Sequence, residues 1–140
     1  MTDCDLCKKN NRNGDPDLLT RRGDLYFYKG PLAHKWPGHI MLVSAKHVEE
    51  MSDLNMGEAA YAFQEILRTE KFLRSLTGVK RINFVKFGNV CSHLHWHIIP
   101  RYEGEAHLGK NPWELLDVDQ IHSLSVPRDP YPALRDALRL

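Results

Sequence analysis

The sequence contains no apolar run long enough for a membrane span or a secretion signal, no internal repeat and no low-complexity segment. A span needs about 20 consecutive apolar residues, and charges that begin at Asp3, Asp5, Lys8 and Lys9 read against export. An excess of charge of one sign is missing too: 19 Lys and Arg stand against 18 Asp and Glu, for a net charge of +1. That balance leaves no broad footprint for nucleic acid or an anionic membrane. Local pairs such as Arg21-Arg22 and Lys80-Arg81 read as solvated ends of elements. Cysteine is scarce, at three residues, and with no export signal the expected compartment is the cytoplasm. What remains is one domain's worth of chain, 140 residues with an apolar share of 42%, sufficient for a single core.

Against this background Ser92-His93-Leu94-His95-Trp96-His97-Ile98-Ile99-Pro100-Arg101 stands out. Histidines at alternate positions of a strand turn to one face, and Leu94, Trp96 and Ile98 turn to the other, where a core covers them. Pro100 is expected to close the ladder at the strand end. A single such histidine reads as a satisfied core residue, but three in register would each need a buried partner.

Two chemistries use a row of imidazoles. One is a catalytic metal that activates water; the other is attack of a neutral imidazole on an electrophilic phosphorus. Same-face positions lie about 6.6 Å apart along a strand, which disfavours chelation of one ion by all three and favours phosphorus chemistry. Gly88-Asn89-Val90-Cys91-Ser92 precedes the row and supplies a glycine, an amide and a hydroxyl, groups that hold a phosphate. The same stretch also reads as an ordinary turn between strands. Far upstream, Cys4-Asp5-Leu6-Cys7 has the spacing with which two thiolates grip one tetrahedral ion. A redox pair would want a βαβ context that the following residues do not show. Cys91 reads as a small buried residue.

These residues resemble the histidine triad family of nucleotide hydrolases and nucleotidyl transferases, whose motif His-φ-His-φ-His-φ-φ, with φ apolar, is met at every position of 93–99. Trp36-Pro37-Gly38-His39-Ile40-Met41-Leu42-Val43 resembles its Pro-Gly-His strand, and Lys46-His47-Val48 with Asp53-Leu54 its lead into a helix. Pro100-Arg101-Tyr102 and residues 107–113 are similar to the end of the fold in bacterial members. The resemblance implies a domain over 1–113 and leaves 114–140 as a C-terminal extension packed on it.

By that resemblance His95 is the nucleophile that forms a transient nucleotidyl-histidine, and His97 contacts the bridging atom and assists the leaving group. Asn89 and Ser92 would hold non-bridging phosphate oxygens, Gly88 would let the backbone approach, and Asn83 would aim an amide at the site. Uridylyltransferase-type relatives carry glutamine where His97 stands, so hydrolysis of a dinucleoside polyphosphate or nucleoside phosphoramidate is the expected reaction. The other readings are a metal-dependent hydrolase using His95 and His97 as ligands, and a nucleotide-binding or scaffold protein with vestigial activity. Pro31 stands where some members hold ribose hydroxyls with an acidic or amide side chain, leaving Asp24 or a shifted loop to serve. In the zinc-bearing branch the ligands after the cysteines are histidines matching His47 and His93, which gives a structural Cys4, Cys7, His47, His93 zinc site. The resemblance also implies a homodimer.

The remaining pattern predicts an α+β fold, an antiparallel sheet with one long helix between strands. Residues 8–17 read as polar and turn-rich, with strands near 25–28, 38–43, 80–87 and 93–99. Asn55 with Glu58 caps a helix whose apolar stripe, Ala59, Phe63, Ile66, Leu67, Leu73 and Leu76, is expected in the core until Gly78 ends it. Residues 112–117 read as a short helix, and Pro127, Pro130 and Pro132 as breaks before an amphipathic turn or two over 131–140. His34, His39, His107 and His122 read as surface or structural histidines, with His107 the one nearest the site.

Overall fold

A computed structural model describes residues 3–122, 126 and 129–139, so Pro127 and Leu140 lie outside the described residues. The elements run α1 (Asp5–Asn11), β1 (Leu18–Arg22), β2 (Leu25–Lys29), β3 (Ile40–Ser44), α2 (Met56–Arg74), β4 (Val79–Val85), β5 (His95–Tyr102) and α3 (Tyr131–Arg139). The strands form one antiparallel sheet in the order β1-β2-β3-β5-β4. The α+β arrangement expected from the sequence is the one the chain adopts. No helix among the described residues is long and apolar enough to cross a membrane.

Two elements were not legible in the sequence. α1 begins inside the cysteine knuckle, where the Sγ of Cys4 accepts the N–H of Cys7 at 3.3 Å and caps the helix. β1 carries Thr20, Arg21 and Arg22 and has no strong alternation, and it exists as a strand through its hairpin with β2. β5 also differs from expectation at both ends, since His93 precedes it and it continues past Pro100 to Tyr102. β3 pairs with β5 only as far as Ile98. Pro100 is therefore flanked by β4 alone, and its missing N–H is tolerated.

α2 starts with a reciprocal cap in which Glu58 N–H donates to Asn55 Oδ1 at 2.8 Å and Asn55 N–H to Glu58 Oε1 at 3.0 Å. It ends at Arg74, before Gly78. Ala62, Ile66 and Leu73 pack against Leu42, Trp96 and Ile98 on one face of the sheet. Phe63 and Leu67 do not join them, being 45% and 60% exposed. The apolar stripe is wider than the sheet covers.

α3 adds Leu134 and Leu138 to the same core. Buried Glu65 of α2 pairs with Arg22 of β1 and with Arg68, and those guanidinium groups donate on to the α3 carbonyls of Leu138 and Ala137. Arg135 donates to the β1 carbonyls of Leu18 and Leu19 at 3.3 and 3.2 Å. On the opposite face of the sheet Trp36, Ile99, Tyr102, Leu115 and Ile121 form a second cluster. The segments before β3 and after β5 thereby wall the face from which the histidines project.

Candidate active site and metal site

The histidine row divides between two sites. Leu94, Trp96 and Ile98 enter the helix-side core as their alternation requires. His95 and His97 turn the other way, opposite Val43 and Met41 of β3, with ring centroids 5.2 Å apart. His93, just before the strand, turns its ring toward the amino-terminal knuckle.

There Cys4, Cys7, His47 and His93 come together, with one ligand atom of each within 4.8 Å of all the others. His47 and His93 approach through Nδ1 at 3.1 Å, Cys7 Sγ lies 3.3 Å from His47 Nδ1, and both sulfurs lie 3.4 Å from His93 Nδ1. A tetrahedral ion with ordinary sulfur and nitrogen bond lengths has such edges at about 3.3–3.6 Å. His93 Nε2–H donates to the Ser44 carbonyl at 2.6 Å, which leaves the Nδ1 lone pair facing the sulfurs. Burial holds His93 below the ordinary imidazole value, keeping that lone pair unprotonated. Burial pushes the Cys4 thiol up, but the hydrogen bonds from Cys7, Leu6 and Cys91 together bring it below its ordinary value. The four residues fit a metal ion, which when bound would fasten α1 to the head of β5.

On the cavity side the proton positions follow from a chain of donors. Leu32 N–H donates to His39 Nδ1 at 3.1 Å, so His39 carries its proton on Nε2 and donates it to His97 Nδ1 at 2.9 Å. His97 therefore presents Nε2–H outward. His95 donates Nδ1–H to the carbonyl of His93 at 2.7 Å, leaving Nε2 with its lone pair. Burial, and then the neighbouring His97, pull His39 down to about 2; burial, and then His95, pull His97 down to about 4. Both rings are uncharged at neutral pH, as the donor chain requires. Gly30 makes this packing possible, because a Cβ there would fall inside the ring of His39.

His95 and His97 open into a cavity of about 500 Å³. Gly88 and Asn89 line it, and the φ of +76° at Gly88 is one that glycine adopts readily. Trp113 stands over the histidines with its ring centroid 5.0 Å from that of His97, and Phe87 meets Trp113 edge-on at 5.0 Å. Pro31, Asp5 and Leu6 complete that side. The structure does not bring the other expected residues to this cavity. Ser92 is exposed and outside its lining. Asn83 accepts from Arg101 Nη1 at 2.7 Å and belongs to a neighbouring groove with Lys110. Asp24 lies in a separate cavity with Lys46, Glu58 and Tyr61, so it cannot stand in for the side chain that Pro31 lacks.

His39, expected to be a surface or structural histidine, is fully buried and bonded to His97, and the signal that could have placed it there is its position one residue before Ile40, which pairs with Ile98. Trp113 and Asp5 also line the site, although the sequence motifs assign neither residue a role of its own. His107 lies away from the cavity, in the left-handed region at φ 60°, with its carbonyl beside Arg101 Nη2.

Comparison with known proteins places the chain in one family and one fold. The family model described as "HIT domain" matches residues 32–104. The chain is 31% identical over 98 residues to an AP-4-A phosphorylase of Mycobacterium tuberculosis, a match covering 64% of this chain and 49% of that protein. It thus spans about half the length of that relative. It is 30% identical over 90 residues to an uncharacterized HIT-like protein of Methanocaldococcus jannaschii, covering 60% of this chain and 69% of that one. Among solved structures, a histidine triad protein of Sinorhizobium meliloti shares the fold with a TM-score of 0.67 at 22% identity, over 99% of this chain and 97% of that one. A Zn-bound histidine triad family protein of Mycobacterium smegmatis does so with a TM-score of 0.64 at 16% identity, over 98% and 94%.

Proposed function

The chain belongs to the HIT domain family, whose members process nucleotides, and from that premise we propose that it hydrolyses a nucleoside phosphate derivative at the α-phosphorus through a nucleotidyl-histidine. The observation that carries this reading is the pair of opposed tautomers, a bare Nε2 on His95 beside an outward Nε2–H on His97. His95 Nε2 attacks the α-phosphorus and the P–N bond forms as the bond to the bridging atom breaks. His97 Nε2–H donates a hydrogen bond to that bridging atom as it takes the electron pair. Gly88 and Asn89 receive the non-bridging oxygens, where positioning and charge stabilisation matter most. Water then attacks the phosphorus and releases His95.

Dinucleoside polyphosphates and nucleoside phosphoramidates are the leading substrate classes. The name of the mycobacterial relative favours a second acceptor, since inorganic phosphate attacking the same intermediate would make the reaction a phosphorolysis. The ion that the cysteine and histidine site would hold is zinc, a reading supported by the Cys2His2 donor set and the Zn-bound histidine triad protein. Exposed Phe63 and Leu67 of α2, beside Phe84 on the edge strand β4, form the surface through which two copies pair. The thiolate knuckle suits a reducing compartment, and the cytoplasm is the proposed location.

The test is intact-mass spectrometry of acid-quenched protein mixed with diadenosine tetraphosphate, with products resolved in parallel. A nucleotidyl adduct absent from His95→Ala is expected, with AMP and ATP as products. ADP and ATP on adding inorganic phosphate would assign the phosphorolytic variant. Nucleotide binding by titration with neither adduct nor product would overturn the enzyme reading in favour of a binding protein.

A further inference from the structure

The catalytic cavity contains one carboxylate, and it comes from the metal knuckle. Asp5 lies between the thiols of Cys4 and Cys7, in the first turn of α1, and lines the same cavity as His95 and His97. It is exposed, and among the described residues no lysine, arginine or N–H group bonds its side chain, whereas Asp15, Glu65 and Glu105 all have such partners. The bland role for an acid here is to complement the helix dipole. A seven-residue helix gains little from that, and the role does not explain a place in the cavity wall.

We infer that Asp5 accepts the ribose hydroxyls of the nucleotide substrate, a specificity role that rests on the nucleotide-processing reading above. A carboxylate only accepts hydrogen bonds, as does a phosphate, so the two cannot hold each other, and Asp5 must meet a part of the ligand that donates. A vicinal diol offers two O–H donors to one carboxylate. The ribose lies a single oxygen away from the phosphorus that His95 attacks, within reach of the cavity wall. The flat base matches the aromatic surface of Trp113 and Phe87 in the same cavity, while Leu6 and Pro31 add apolar surface on the side of Asp5. Pro31 has no polar side-chain atom and Asp24 lies in another cavity, which leaves Asp5 as the carboxylate acceptor in this one, Asn89 being engaged with the phosphate. The consequence is an unusual division of labour, with the segment that grips the metal also reading the sugar.

The experiment compares kcat/KM for adenosine 5′-phosphoramidate and its 2′,3′-dideoxy analogue in wild type, Asp5→Ala and Asp5→Asn, with bound metal quantified in each. Wild type is expected to prefer the ribose substrate on the order of 10-fold to 100-fold, the range of one or two hydrogen bonds to a charged group. In Asp5→Ala that preference collapses toward unity, because the ribose substrate loses rate while the dideoxy substrate does not, and Asn restores part of it. An unchanged preference in Asp5→Ala overturns the inference, as does an equal loss on both substrates together with metal loss, which is the signature of a merely structural helix. Wild-type protein that neither turns over nor binds any nucleotide overturns the functional reading and takes this one with it; turnover without ribose preference overturns this one alone.

Discussion

The carbonyl of His93 accepts the Nδ1–H of His95 at 2.7 Å, while the ring of that same His93 faces Cys4 and Cys7 at 3.4 Å. The backbone of one residue thus fixes the tautomer of the proposed nucleophile and its side chain belongs to the cluster that could hold a metal ion. Cys7→Ser, or prolonged chelation, is expected to lower the unfolding midpoint and kcat together, the latter on the order of 10-fold or more. Brief chelator exposure that leaves the fold intact should leave activity intact, and His95→Ala should retain its metal. Instant loss of turnover on adding chelator, before any change in circular dichroism, would instead mean a catalytic ion.

His39→Phe removes the donor that fixes the His97 tautomer while keeping an aromatic ring in a fully buried position. The expected outcome is a drop in kcat on the order of 100-fold with little change in KM. Steady-state kinetics check this; a variant with wild-type kcat would show that His97 orients itself unaided.

Gly30→Ala drives a methyl group into the ring of His39. Overpacking of this kind costs about 1–3 kcal/mol, and because the displaced ring is bonded to His97, kcat should fall along with stability. Urea denaturation and kinetics on the same sample read both; the idea fails if stability drops with kcat unchanged.

Stability should depend on pH with a definite sign. His39 and His97 are held at about 2 and about 4 in the folded protein, against 6.5 for an ordinary imidazole. The unfolded chain therefore binds more protons below pH 6.5, so the stabilisation is complete above that value and is lost as pH falls toward 4. The slope is about 1.4 kcal/mol per pH unit for each ring in that window. Urea midpoints at pH 7.5, 6 and 5 should fall in that order, and His39→Phe should flatten the trend. A constant midpoint would contradict the buried neutral pair.

The exposed Phe63, Leu67 and Phe84 bear on assembly. Replacing all three by serine is expected to yield a folded monomer from a dimeric wild type, as judged by light scattering coupled to size exclusion. Wild-type protein that runs as a monomer at micromolar concentration would remove that surface from consideration.

Local pattern carried much of this molecule. The alternation around His95 placed β5, and the Asn55 and Glu58 pair placed the start of α2, because each depends on neighbours in sequence. What escaped depends on distant partners. His39 and His97 are 58 positions apart, and no feature near His39 states which of its nitrogens faces another imidazole. Arg22 in β1 finds its partner in Glu65 of α2, so the strand is unremarkable until the fold is assembled. Phe63 and Leu67 have the spacing of core residues, and only the width of the sheet decides that they stay outside.

Arg135 on α3 occupies carbonyls of β1 that would otherwise be open to a further strand. Among the described residues that leaves β4 as the terminal strand without a helix bonded to its backbone. An open sheet border is a template for pairing with a further strand, and each border that is occupied removes one such template. By occupying carbonyls on the far border, a C-terminal helix remote from the histidines works against edge-to-edge growth on that side.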